Sequence, residues 1–450
     1  MTDREVEPGG RRTAATGPAE EATGAAAPAE SAGAFRPSRR GLLGLLGAGV
    51  AGLALGGAGG AAIASGLAAQ SAGGGSGVVP FHGAHQAGIT TPAQDRLHFA
   101  AFTLVEGATR DDLIGLLRDW TAAAEKLTRG EAIGSGIEPE NGLLPPEDTG
   151  EAAGLHAGHL TLTFGLGRSI FVGADGEGDP FGIRDRMPAE FEPLPSFAFD
   201  LLEDAISGGD LCVQACADDP QVAVHAIRNL ARMAFGRAHL SWSQLGFGRT
   251  ASTSRDQDTP RNLFGFKDGT MNVMSDEQAA LDEHVWVGDD APAWMRGGSY
   301  LVARKILMTI ETWDRASLDE QERIFGRTKM LGAPLTGNAE FEEPDFEAHA
   351  DGTPVIDMAA HVRLAHASNN GGVRILRRGY NYVDGSNGLG QIGAGLFFIS
   401  FQRDPAAFVR LQRSLKSDLL NEYIRHIGSG LWAVPGGVRS GEVIAQALFE

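Results

Sequence analysis

The sequence predicts an α+β fold made of two similar halves, each a β-α-β-β-α-β unit of the ferredoxin-like kind. Three observations support this. An apolar segment, an Asp-Pro pair and an amphipathic run occur twice, at 211–232 and at 396–417. A further strand and helix are predicted before each copy. A stretch rich in Thr, Ser, Asp, Gln and Pro separates the two sets, between Arg249 and Arg261. We therefore expect an N-terminal half at 77–255 and a C-terminal half at 256–450.

The pattern of apolar residues defines the elements of each half. Asp219 and Asp404 are expected to cap the helix that follows each repeated strand, and Pro220 and Pro405 suit the first helical turn, where no N–H is needed. The elements upstream are two strands and two helices. They are predicted at Leu97–Val105, Arg110 to about Thr128, Ser299–Ile310, and about Ser317 to Arg327.

Composition narrows the classes of function. The chain has 450 residues with 38 basic and 57 acidic side chains, which gives a net charge of −19. A general nucleic-acid binder is unexpected, because phosphate binding needs a basic surface. The acidic and basic residues of 1–70 cancel, so the whole charge belongs to the remainder of the chain.

The first 76 residues carry the pattern of an export signal rather than of a domain. Met1–Pro37 has almost no large apolar side chains and is predicted to be disordered. Arg39 and Arg40 then precede an uncharged Leu/Ala/Gly run to about Ala69, as in a twin-arginine signal. A transmembrane anchor is the alternative. Because this route exports folded proteins, we expect cofactor loading in the cytoplasm and a periplasmic, cell-surface or extracellular location.

The two cysteines are predicted to lie in the core. Cys212 and Cys216 share one face of a strand, about 13 Å apart, which is too far for a disulfide. A Cys-x3-Cys metal site is the alternative, but the apolar neighbours favour two small buried residues.

Several polar residues stand in unusual settings. Asp268 lies between glycines in Gly265–Thr270, where a plain Asp-Gly turn is the simple alternative. His361 and His366 are both candidate ligands, although a buried histidine is more often an ordinary core residue. Arg377 and Arg378 are adjacent in a strand, so one of them faces inward and is expected to need an anionic partner.

These residues occur within motifs that resemble those of the dye-decolourising haem peroxidases, in particular the exported deferrochelatase/peroxidase branch. The motifs run in order along the folded part, and GFKDGT is the most specific. They are Phe81–Pro92, Gly265–Thr270, Phe325–Lys329, His361–Arg363 and Ile375–Tyr380. The resemblance implies a dimeric α+β barrel of two ferredoxin-like halves, in agreement with the internal repeat.

The resemblance also implies a haem site with one haem b per chain. His361 is the expected iron ligand, Asp268 the distal acid and base, and Arg377 the distal cation. Arg327 is expected to bind a haem propionate, although a surface arginine at a helix end is the alternative. Asp404 is a conceivable partner of the ligand histidine, but its capping role is preferred. The remaining residues expected to line the haem are Gly269, Thr270, Met271, His366, Ala367 and Ser368.

The function expected from the resemblance is a peroxidase that reduces H2O2 and oxidises aromatic or dye-like donors through a ferryl intermediate. Tyr380, Tyr382 and Trp432 are candidate electron relays, but core positions are favoured for most Trp and Tyr residues. The alternatives are a deferrochelatase that releases iron from haem, with iron-uptake transporter components as partners, and a haem carrier. Asp268 and Arg377 disfavour a pure carrier, because storage needs no proton transfer. Homo-oligomerisation is left open.

Overall fold

The computed structural model describes residues 77–173 and 176–450. The predicted signal and linker lie outside these residues. Eleven strands are found in the described part. They are β1 Arg96–Leu104, β2 Thr161–Gly167, β3 Leu211–Ala217, β4 Ala238–Arg249, β5 Ser299–Met308, β6 His349–Ala350, β7 Thr353–Pro354, β8 Leu376–Arg377, β9 Tyr380–Ser386, β10 Ile392–Gln402 and β11 Ile424–Val434.

Eight of these strands close into an antiparallel barrel. The first half contributes neighbours in the order β2-β3-β1-β4, and the second contributes β9-β10-β5-β11. The two sheets join at both edges, because β4 pairs with β9 and β11 pairs with β2. Each half has the predicted β-α-β-β-α-β order. The α+β class is therefore confirmed, and the facing sheets form one continuous barrel.

Helices flank the barrel and connect its strands. Those in the described part are α1 Arg110–Leu127, α2 Ser169–Val172, α3 Pro220–Ala234, α4 Gln278–His284, α5 Ile310–Trp313, α6 Leu318–Phe325, α7 His361–Ala365, α8 Pro405–Ser414 and α9 Gln446–Phe449. Asp219 and Asp404 cap α3 and α8 as predicted. Helix α6 stops two residues before the predicted end, because Gly326 adopts the left-handed conformation with φ of 75°. The predicted strand 299–310 ends at Met308, because α5 starts at Ile310.

The barrel interior is an apolar core shared by both halves. Phe99 of the first half contacts Phe397 and Trp432 of the second, with ring centroids 5.2 and 5.4 Å apart. Cys212 and Cys216 are buried, unpaired members of this core, as predicted. No cluster of three potential metal-binding side chains from His, Cys, Asp and Glu occurs within residues 77–173 and 176–450.

A second core lies outside the first sheet, where α1 and α3 pack on it. Trp120 of α1 donates a 2.9 Å hydrogen bond to the carbonyl of Leu230 in α3 and so fixes the two helices together.

None of the helices in the described ranges is both long and apolar enough to cross a bilayer. The polar residues of the candidate site lie in the connection between β4 and β5, in the segment from the end of α6 through β8, and after α8.

Candidate haem site

The site is centred on His361, the first residue of α7. The ring Nδ1 lies 2.6 Å from Asp418 Oδ2. Because an ionised carboxylate only accepts hydrogen bonds, Nδ1 is the donor, and in the neutral ring Nε2 keeps its lone pair. About a third of the His361 side chain is exposed, whereas the Asp418 side chain is almost wholly buried. His361 therefore presents a free ring nitrogen in a fixed tautomer.

Main-chain contacts hold this pair in place. The Asp418 Oδ1 atom accepts a hydrogen bond of 2.9 Å from Leu420 N, so the same carboxylate also caps the short helix that follows it. Leu419 N donates to Ala359 O at 3.1 Å and ties the Asp418 segment to the residues before His361. The position of the ring thus follows from backbone geometry on both sides.

The charges around His361 determine its protonation. Burial lowers the pKa of His361, but the carboxylates around the ring, chiefly Asp418, offset this effect and hold the pKa above its ordinary value. Asp268 also raises this pKa, and Arg377 lowers it. Both residues are therefore close enough to act electrostatically on the ring.

Asp268 and Arg377 form an ion pair that belongs to the same site. Arg377 Nη1 donates to Asp268 Oδ1 at 2.9 Å, and both side chains are only partly exposed. Asn262 Nδ2 lies 3.3 Å from the other carboxylate oxygen, and the main chain of Asp268 is fixed by a 2.9 Å bond to Pro260 O. Asp268 directly precedes a turn, closed by a hydrogen bond from Asn272 N to Gly269 O, and its carboxylate is paired and oriented.

Strand alternation places the two adjacent arginines on opposite sides. Arg377 reaches the site, and Arg378 is fully buried. The prediction that the inward arginine needs an anion is wrong. The Arg378 guanidinium donates to the Thr91 carbonyl and to the Gln94 side-chain oxygen, and no carboxylate pairs with it in the described part of the chain.

Arg327 is buried rather than exposed at a helix end. Its Nη1 donates to Gly332 O at 2.6 Å and Glu340 O at 2.9 Å, whereas its Nη2 is buried without a partner. Burial lowers the pKa of Arg327, Glu340 opposes this, and Arg377 lowers the pKa further. A guanidinium stays charged nonetheless. The free donor next to Arg377 therefore fits an anionic group of a ligand.

The other predicted lining residues lie in the segments that directly follow Asp268 and His361. Gly269 adopts a φ of 87°, which favours glycine, and Thr270 is buried with its hydroxyl 3.1 Å from Glu340 Oε1. Met271 is 41% exposed. His366 Nδ1 lies 2.8 Å from Ser368 Oγ, whereas its Nε2 is buried without a hydrogen-bond partner, 3.4 Å from Glu343 Oε2. The remaining member, Ala367, begins a short 3-10 helix.

Sequence reasoning missed the partner of the ligand histidine. Asp404, the residue considered for that role, caps α8 through a 2.8 Å bond from Ala406 N. Asp418 is the partner instead. The only sequence signal for it was an acidic residue ahead of a short apolar run, which is too common to identify a site. Asn262 was also missed, because a polar residue ahead of a short apolar run is equally common.

The residues fit a haem group. A histidine with a free Nε2 and a carboxylate on Nδ1 is the usual arrangement of an iron ligand. The unpaired, buried Nη2 of Arg327 suits a propionate. The ion pair of Asp268 and Arg377 suits a reaction in which a proton is transferred and negative charge develops.

The comparisons with known proteins agree with this fit. The model of the Dyp-type peroxidase N-terminal region matches residues 86–248, and that of the C-terminal region matches residues 259–439. The chain therefore belongs to the Dyp-type peroxidase family, and it is a haem peroxidase that uses H2O2 and a reductant.

Individual relatives cover nearly the whole chain. A deferrochelatase of Escherichia coli strain K12 is 36% identical over 431 residues, which are 93% of this chain and 98% of the relative. The solved structure of DtpA from Streptomyces lividans is 41% identical with a TM-score of 0.75, over 83% of this chain and 98% of that one. A DyP-type peroxidase from Cellulomonas bogoriensis is 39% identical with a TM-score of 0.74, over 84% and 99%.

Proposed function

We propose that the chain binds one haem b, with His361 Nε2 as the iron ligand and Asp418 as the group that orients it. The observation that carries this proposal is the 2.6 Å contact between His361 Nδ1 and Asp418, with Asp268 and Arg377 close enough to act on the same ring. His366 is the weaker candidate, because its Nδ1 contacts the Ser368 hydroxyl rather than a buried carboxylate that would orient the ring as an iron ligand.

Asp268 and Arg377 would act on the peroxide. Haem, when bound, supplies the iron and the electrons for cleavage of the O–O bond. Asp268, as a carboxylate, accepts a proton from one peroxide oxygen and returns it to the other, which leaves as water. Arg377 stabilises the negative charge that develops on the departing oxygen. Their 2.9 Å bond orients each group toward the same reactant.

Arg327 would bind a haem propionate through its free Nη2. Gly269, Thr270 and Met271 would line the distal side. His366, Ala367 and Ser368 would line the proximal side.

Bulky aromatic donors are the proposed reductants. All six Trp and all four Tyr side chains are buried, including Tyr380, Tyr382 and Trp432. A donor therefore cannot stack directly on any of these three rings. Any role for them would be to pass electrons inside the protein.

Rapid mixing of the haem-loaded protein with H2O2 tests these roles. We expect Asp268→Ala and Arg377→Ala each to slow the Soret change by roughly 10²–10³-fold. Alanine variants of the Arg237 and Asp119 pair, which has a similar 2.7 Å contact far from the site, serve as controls. An unchanged rate in both site variants would refute the assignment.

Haem titration tests the ligand. His361→Ala should lose the Soret band of the protein-bound haem, and His366→Ala should keep the wild-type spectrum. The opposite result would assign the ligand to His366.

Release of iron from haem is the second candidate function, favoured by the 36% identity to proteins named deferrochelatase. Such a reaction replaces the iron with two protons and leaves the porphyrin ring intact. Anaerobic incubation with haem and a reductant, followed by fluorescence detection of free porphyrin, tests it. If no free porphyrin is detected, iron release is excluded and peroxidase activity is the remaining function.

We also propose export by the twin-arginine route. The support is the sequence pattern of Arg39 and Arg40 before an uncharged run. Replacement of both arginines by lysine should retain the protein in the cytoplasm of its host. Export of the variant at the wild-type level would argue against the route. Partners among iron-uptake transporters and self-association remain predictions.

A further inference from the structure

Asn272 lies between the two segments that carry the distal ion pair. Its side chain is buried, and its amide pairs with both main-chain groups of Arg377. Oδ1 accepts a 2.7 Å hydrogen bond from Arg377 N, and Nδ2 donates a 2.9 Å hydrogen bond to Arg377 O. Strand β8 pairs with β10 on its other side, where Arg377 is opposite Ser400. The Asn272 amide thus takes the place of a neighbouring strand.

The same residue closes the turn that follows Asp268. Asn272 N donates to Gly269 O at 3.0 Å, and Nδ2 also donates to Ser252 O at 2.9 Å. The Asn272 carbonyl accepts a 3.1 Å hydrogen bond from Arg374. Every polar group of this buried residue is therefore satisfied, and its bonds connect the Asp268 loop directly to the Arg377 strand.

We infer that Asn272 is a positioning residue that sets the geometry between Asp268 and Arg377 for the reaction with peroxide. This inference rests on the proposed roles of those two residues. Within the described part of the chain, the Arg377 guanidinium has one partner, Asp268. A long side chain with a single contact depends on its main chain for position. A displacement of about 1 Å can cost about 10²-fold in rate.

Asn272→Ala tests the inference in the haem-loaded protein. We expect the Soret change with H2O2 to slow by about 10- to 100-fold, because Arg377 loses its main-chain support. Hydrogen exchange at the Arg377 amide should become faster, since its acceptor is removed. If Asn272→Ala does not fold, Asn272→Asp replaces it, because the aspartate keeps the volume and an acceptor but loses the two donated bonds.

Asn229→Ala is the matched control. Asn229 is also buried, accepts a 3.2 Å hydrogen bond from Thr149 N and donates a 3.1 Å hydrogen bond to His225 O, but it lies in α3 of the other half. We expect a comparable loss of thermal stability with an unchanged peroxide rate and unchanged Arg377 exchange. An equal slowing in both asparagine variants would mean a general effect of stability and would overturn the inference.

A double-variant cycle separates this inference from the function on which it rests. If Asn272 acts through Arg377, adding Asn272→Ala to Arg377→Ala should change the rate by less than about twofold. An independent further loss of about tenfold would overturn the positioning role. If Arg377→Ala alone leaves the rate unchanged, the proposed role of Arg377 fails instead.

Discussion

Replacement of Asp418 by asparagine should weaken haem binding by changing His361 rather than by unfolding the site. The wild-type carboxylate uses one oxygen for His361 Nδ1, at 2.6 Å, and the other for Leu420 N, at 2.9 Å. Asparagine has a single oxygen. If that oxygen stays on Leu420 N, the amide NH2 faces Nδ1 and stabilises the tautomer with a proton on Nε2, which cannot bind iron.

The size of the effect follows from the contact that is lost. A hydrogen bond to a charged group contributes about 1.5–3 kcal/mol, and loss of the carboxylate partner of a ligand histidine typically costs 10- to 100-fold in metal affinity. We therefore expect haem affinity to fall by about 10- to 100-fold. The reduction potential should rise, because a less basic imidazole stabilises the ferric state less.

Haem dissociation to a scavenging protein and a potentiometric titration measure the two quantities. NMR titration of the haem-free protein adds a third, because the pKa of His361 should fall when Asp418, which raises it, is neutralised. Asp404→Asn is the control, since Asp404 also caps a helix but does not contact His361. Unchanged affinity and potential in Asp418→Asn, or equal changes in both variants, would refute the reasoning.

Three further predictions concern single side chains. Gly269→Ala should unfold at lower urea concentration than Gly107→Ala. Both positions have a positive φ, but only at Gly269 would the new Cβ lie 2.8 Å from a neighbouring atom, Ala251 Cα. Equal unfolding midpoints of the two variants would contradict this. Arg327→Gln should release haem about tenfold faster, because the buried Nη2 donor is lost; an unchanged release rate would exclude a propionate contact. His426→Gln should flatten the loss of stability in acid. Burial and the neighbouring Arg304 lower the pKa of His426 from 6.5 to about 3, so the unfolded chain binds a proton that the folded chain does not, and stability falls as pH drops below 6.5. Urea unfolding at pH 6 and pH 5 should show about 1 kcal/mol less pH dependence in the variant, and an identical slope would exclude this cause.

The sequence predicted the barrel strands well because their signals are local. The repeated strand, Asp-Pro cap and helix at Asp219 and Asp404 depend on neighbours within a few residues, so the pattern can be read directly from the chain. The closure of the barrel depends on pairings between distant segments, such as Trp432 with Gly167. No local pattern carries that information.

In the candidate site, too, the sequence shows the residues of local motifs but not the contacts between distant segments. Asp268 and Arg377 were found through motifs, but their contact joins residues 109 positions apart. Asp418 lies 57 positions from His361 and belongs to no motif. Asn272 is only four residues beyond Asp268, yet its importance depends on a bond to Arg377 that the sequence does not reveal.

The outcome at Arg378 shows why a rule about charge was not enough. Its charge was expected to demand an anion, because desolvation of an ion is costly. The structure instead surrounds the guanidinium with oriented neutral oxygens of Thr91 and Gln94, so that dipoles replace part of the lost hydration. Of the two adjacent arginines, the partly exposed Arg377 has a carboxylate partner, whereas the fully buried Arg378 has none among the described residues.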